Sequence, residues 1–175
     1  MHIIAVGGSD AGISAALRAR ELDADVDVTV VVADSYPNYS ICGIPYYFSG
    51  DVSPWQSLAH RTHADLEATG MQLRLDTLAT RIDAASRRLI VRDAAGAESE
   101  IAYDELIVGT GALTSHAGIE GLDSLGPADG VHVIHSMGDT FALERDLQER
   151  QPRTAIIIGA GYVGLEMAEG FTARG

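Results

Sequence analysis

The stretch HIIAVGGSDAG, residues 2–12, governs the reading of the whole chain. Its first half, His2 to Val6, is an apolar and β-branched run suited to a strand buried on both faces of a parallel sheet. Its second half carries Gly7, Gly8, Ser9 and Gly12, a glycine turn that ends the strand and opens a helix expected from about Gly12 to Leu22. Ile13, Ala16 and Leu17 give that helix an apolar stripe, and a second strand is expected from Asp27 to Ala33. The result is a βαβ unit. A turn of this kind brings main-chain N–H groups and the positive end of a helix dipole to one point, which suits the pyrophosphate of a dinucleotide. The outer glycines keep GxGxxG spacing, with Ser9 at the middle position, and Asp34 follows Gly12 by 22 residues (34 − 12). That distance puts Asp34 where it can accept hydrogen bonds from ribose hydroxyls. Asp10 is the odd member, because a carboxylate favours a helix N-terminus yet repels a phosphate bound there.

Further along come a loop with Pro54 and Trp55, a short helix around Ala64 to Thr69 and a strand around Met71 to Leu75. Three strand-like runs then follow, near Ala79 to Asp83, Arg88 to Arg92 and Glu98 to Tyr103, separated by short turns that predict an antiparallel meander. Leu106 to Val108 forms another apolar strand and runs into Gly109, Thr110, Gly111 and Ala112. Residues 114–130 are rich in Gly, Ser and Asp and read as a connector. Beyond it a strand at Val131 to Ile134, a helix at about Asp139 to Glu149 and a strand at Ala155 to Ile158 are expected. The last of these leads into Gly159, Gly161 and Gly164, a regular GxGxxG entering a helix. For either loop the plainer alternative is a tight strand-to-helix turn without a ligand.

The fold class is therefore α/β: a Rossmann-like dinucleotide domain with a parallel sheet and an antiparallel meander over 1–113, the connector 114–130, and the start of a second Rossmann-like domain over 131–175. A dinucleotide unit needs another strand and an acidic residue about 20 residues after its glycines, and the sequence stops at Gly175 within the helix. The chain is thus expected to be the N-terminal part of a longer polypeptide. Two dinucleotide loops suggest a flavin nucleotide and a nicotinamide nucleotide with hydride transfer between them.

A formal net charge of −13 argues against nucleic acid or an anionic membrane as partner. No run of apolar residues is long enough for a membrane span, no targeting segment is visible, and a cytoplasmic protein is expected. All twelve basic residues are arginine, which excludes lysine-based chemistry on these residues. The six histidines lack thiol or carboxylate company at ligand spacing, so no metal site is expected. The single cysteine, Cys42, stands in YSICGIPYY, residues 39–47, ahead of a short apolar helix with Pro45 in its first turn. A thiol at a helix start is biased toward thiolate, the form that attacks disulfides, whereas the bland reading is a small hydrophobe in a turn.

Taken together, these residues resemble the pyridine nucleotide-disulfide oxidoreductases, in particular their single-cysteine branch of coenzyme A-disulfide reductases, NADH oxidases, NADH peroxidases and persulfide reductases. The resemblance runs along essentially all 175 residues. It implies FAD on the first loop and on the Gly109–Ala112 segment, with Thr110 and Gly111 among its contacts, and NAD(P)H on the second loop. It also implies that Glu166 lies near nicotinamide and flavin, that Cys42 is the redox centre and that the full-length form is a homodimer. Two-cysteine relatives carry a second cysteine five residues on, where this chain has Tyr47. The redox partner of Cys42 would then come from outside, as a small thiol in a mixed disulfide or as oxygen in a sulfenic acid.

On substrate, the resemblance leaves several readings open. Pro45-Tyr46-Tyr47 is similar to the coenzyme A-disulfide and persulfide reductases, and Arg18 could meet a coenzyme A phosphate. Asn38 and Ile41 stand where those reductases often carry serine and asparagine, and Asp10 where the oxidases and peroxidases place histidine. An oxidase or peroxidase, a flavin reductase with a structural Cys42, and a catalytically silent nucleotide-binding fragment are the alternatives.

Overall fold

The structure is a computed structural model that describes residues 1–115 and 118–175. Residues 116 and 117 of the expected connector lie outside the described residues. The chain divides into two compact units, one of residues 1–39 and 59–111, the other of residues 40–58 and 112–175.

The first unit holds β1 (His2–Val6), α1 (Asp10–Leu22), β2 (Asp27–Val31), α3 (His63–Ala68), β3 (Gln72–Arg74), β4 (Leu78–Asp83), β5 (Arg88–Arg92), β6 (Glu98–Ala102) and β7 (Glu105–Val108). Strands β3, β2, β1 and β7 form a parallel sheet in that order, with Ile4 paired to Thr29 on one side and to Leu106 on the other. Successive side chains of a strand face opposite ways, and β1 uses both sets. Ile3 and Ala5 pack with Ile13, Ala16, Val28, Val30 and Leu66 under the helices, while Ile4, Val6 and Val31 pack with Leu89 and Val91 of the meander. The parallel sheet is thus the middle of three layers, which is why its strands read as continuous apolar runs.

The expected meander is present as the antiparallel sheet β4-β5-β6. Helix α1 starts at Asp10, two residues before the expected Gly12, because Ser9 takes the cap position. Strand β2 ends at Val31 rather than Ala33, and Val32 N–H instead donates to the Arg74 carbonyl at 2.9 Å. Helix α3 begins at His63 because Thr62 and Asp65 form a reciprocal capping box.

The second unit contains α2 (Ile44–Ser49), α4 (Met137–Arg150) and α5 (Tyr162–Arg174), with a 3₁₀ turn at Ile41–Gly43 leading into α2. Phe48 of α2 meets Phe171 of α5 edge-on at 5.9 Å, and Trp55 meets Phe141 of α4 at 4.9 Å. Helix α4 begins at Met137, before the expected Asp139, since Asp139 is the third residue of a capping box whose cap is Ser136. Two expected strands are absent. Residues 131–134 and 155–158 join no ladder among the described residues, and Ile156 and Ile158 are 89% and 74% exposed. Apolar sequence makes a strand only where a second strand takes up its N–H and C=O groups. Among the described residues, no helix is long and apolar enough to cross a membrane.

Candidate active site

In the first unit, the glycine loop leaves the C-terminal end of β1. Gly7 has φ +118°, which only glycine adopts freely, and a Cβ on it would strike the Gly109 carbonyl oxygen. A Cβ on Gly12 would strike the Gly7 carbonyl oxygen, and one on Gly8 would lie 2.5 Å from Val32 Cγ1. The loop is therefore folded back on the start of α1, with glycine required by contact and not merely by flexibility. Ser9 is the N-cap of α1, exposed and making no capping bond with its side chain. Main-chain N–H groups at this helix start are available to an anion.

The segment after β7 closes against the same loop. Gly109 N–H donates to the Val6 carbonyl at 2.8 Å, Thr110 follows it in the chain, and Gly111 turns with φ +66°. Asp34 lies three residues past β2 and is exposed, its Oδ1 accepting the Tyr36 N–H at 2.8 Å. Gly7, Gly8, Ser9, Gly12, Asp34, Thr110 and Gly111 thus gather at the C-terminal ends of β1, β2 and β7. Ligands of open α/β sheets bind at such ends, where neighbouring connections diverge. The Asp10 carboxylate accepts a hydrogen bond from Asn38 Nδ2 at 3.3 Å.

In the second unit, the later loop repeats the geometry of the first. Gly159 has φ +112°, a Cβ on Gly164 would strike the Gly159 carbonyl oxygen, and Gly161 caps α5 as Ser9 caps α1. Both helices run for 13 residues. The conformation survives without a preceding strand, because it depends on contacts within the loop.

Cys42 sits in the 3₁₀ turn before α2 and is exposed. It lines a small cleft of about 80 Å³ together with Ile41, Pro45, His135, Tyr162 and Glu166. Burial of Ile44, Pro45 and Phe48 fixes α2, so the turn that carries Cys42 rides on a packed base. Tyr162 donates to the Glu166 carboxylate one turn along α5, and this bond, with the negative charge of Glu166, lifts its phenol above the ordinary range. Tyr46 and Cys42 push in the same direction more weakly. Cys42 and Glu166, both singled out by sequence, therefore share one cleft. Sequence reasoning misses Tyr162 and His135; the only signal for the first is a tyrosine inside the glycine loop, and His135 directly follows the strand expected at Val131 to Ile134.

Residues 1–175 match the family described as pyridine nucleotide-disulphide oxidoreductase. The chain is 32% identical over 174 residues to a CoA-dependent NAD(P)H sulfur oxidoreductase of Pyrococcus abyssi, covering 99% of this chain and 37% of that relative. It is similar in structure to an NAD-dependent persulfide reductase of A. fulgidus, with TM-score 0.90 and 32% identity over 99% of this chain and 32% of that one. It is also similar to a water-forming NADH oxidase of Lactobacillus brevis bound to NADH, with TM-score 0.89 and 28% identity over 100% of this chain and 38% of that one. The chain spans little more than a third of the length of the curated relatives it matches.

Proposed function

The chain belongs to the pyridine nucleotide-disulphide oxidoreductases, and from that premise we propose that it serves an FAD-dependent NAD(P)H oxidoreductase that reduces a thiol-linked substrate through Cys42. The substrate class is a low-molecular-weight disulfide or persulfide, coenzyme A disulfide among them. What carries the reading is an exposed lone cysteine sharing a cleft with Tyr162 and Glu166, in a chain with no second cysteine to close an internal disulfide.

The first glycine loop fits FAD: Gly7, Gly12 and Gly109 let the loop backbone pack on itself where any Cβ would clash, and the start of α1 behind the exposed Ser9 would take the pyrophosphate. Asp34 would hold the ribose, and Thr110 and Gly111 would line the cofactor. Gly159, Gly161 and Gly164 would take the pyrophosphate of NAD(P)H, with Glu166 beyond them toward the nicotinamide. When bound, FAD supplies a two-electron carrier between the nicotinamide and sulfur.

The Cys42 thiolate attacks one sulfur of the substrate disulfide, forming a mixed disulfide and releasing one thiolate, which takes a proton from solvent or from a group lining the cleft. An electron pair originating in NAD(P)H then cleaves the mixed disulfide, returning Cys42 to thiolate and releasing the second thiol. The sum is one disulfide and one NAD(P)H with a proton giving two thiols and NAD(P)⁺. Cys42→Ser should abolish disulfide- and persulfide-dependent NAD(P)H oxidation while leaving flavin content unchanged, and undiminished turnover refutes the reading. A water-forming oxidase is the second reading, favoured by the likeness to the Lactobacillus enzyme; it predicts a Cys42 sulfenic acid that dimedone traps under air, and oxygen uptake in the absence of any disulfide. The active protein is proposed as a cytoplasmic homodimer, for which sedimentation of the holoprotein at twice the chain mass is the check.

A further inference from the structure

Asn38 is only 2% exposed and has φ +59°, a left-handed backbone unusual for a residue with a side chain. Four hydrogen bonds hold it. Its N–H donates to the Gly8 carbonyl at 2.6 Å, and its own carbonyl accepts from the His60 N–H at 2.9 Å. Its Nδ2 donates to Asp10 Oδ1 at 3.3 Å, and its Oδ1 accepts from Arg61 Nη1 at 3.5 Å. A peptide unit is planar with its C=O and N–H opposed, so pinning the Gly8 carbonyl on Asn38 turns the Ser9 N–H away from it, free for an anion at the start of α1. The side chain engages the Asp10 carboxylate, whose charge would oppose that anion, and joins it through an amide to the Arg61 guanidinium.

Building on the proposal that the first glycine loop holds FAD, we infer that Asn38 is a positioning residue for the pyrophosphate. It holds the Asp10 carboxylate to the side of the loop and so sets the affinity for the dinucleotide. The amide leaves the charge of the carboxylate unchanged and ties it to a fixed position.

The test is a double-mutant cycle on the FAD dissociation constant, read from flavin fluorescence with the unsubstituted protein, Asn38→Gly, Asp10→Asn and the double variant. Glycine accepts φ +59° and keeps both main-chain bonds, so Asn38→Gly deletes only the amide; melting of each apoprotein confirms the fold. Asn38→Gly should weaken FAD binding about tenfold through its coupling to Asp10. Asp10→Asn alone should bind at least as tightly as the unsubstituted protein, and adding Asn38→Gly to it should change binding by no more than about twofold. If Asn38→Gly leaves binding unchanged, or weakens it equally with and without the Asp10→Asn substitution, the inference is overturned while the FAD reading stands. Failure of the unsubstituted protein to bind FAD overturns both.

Discussion

At the scale of single residues, the chemistry depends on contacts that no spacing rule anticipates. Tyr162 owes its raised phenol first to its hydrogen bond with Glu166. Glu166→Gln should therefore bring the Tyr162 titration down toward the ordinary tyrosine range, seen in the phenolate absorbance as the difference from Tyr162→Phe. An unchanged titration would mean that the bond does not persist in solution. The glycines were legible because their role is local: Gly7 and Gly12 touch each other within one turn, as do Gly159 and Gly164. The company of Cys42 was not legible, because Tyr162 and His135 arrive from distant parts of the chain.

At the scale of elements, helix contacts set the second unit. Gly170 of α5 lies against α2 so closely that a Cβ would be 2.9 Å from the Pro45 carbonyl oxygen. Gly170→Ala should cost about 1–3 kcal/mol by forcing the helices apart, measured as a lower denaturant midpoint. Arg174 of α5 grips Glu144 of α4 with two bonds, at 2.7 and 2.9 Å, and the Arg174 hydrogen bond holds the Glu144 carboxyl below its ordinary range. A depressed folded-state value stabilises the protein above the unfolded-state value and is lost as pH falls through the folded one. Stability should thus decline on acidification below about pH 4.3, the ordinary glutamate value, and Glu144→Gln should flatten that part of the profile. Equal slopes in the two proteins would contradict the pairing. Helix starts show the limit of reading elements from apolar pattern: Ser136 and Thr62 cap α4 and α3, and the helices begin at Met137 and His63, ahead of the expected Asp139 and Ala64.

For the whole molecule, the prevailing influence is charge. With 25 acidic and 12 basic residues, self-repulsion opposes compaction throughout. Exposed pairs such as Arg18 with Glu21 and Arg92 with Glu98 offset little of it, since such pairs contribute about 0–1 kcal/mol and weaken in salt. Screening should therefore stabilise more than it costs, and the melting temperature should rise as sodium chloride goes from low to about 1 M, where the Debye length is about 3 Å. A fall in melting temperature would show that the ion pairs outweigh the repulsion.

The sequence by itself determined the βαβ unit, the meander, both glycine loops and the prominence of Cys42, because strand periodicity, glycine spacing and a lone thiol are properties of neighbouring residues. Only the tertiary structure decided the rest. Residues 155–158 are apolar enough for a strand yet form none, since a strand needs a partner's hydrogen bonds as well as its own sequence. Asp10, puzzling as a neighbour of a phosphate loop, is engaged by Asn38, which the backbone folds onto it from 28 residues away. Long-range hydrogen bonds of this kind follow from where the sheet and its loops bring the chain, and local sequence carries no trace of them.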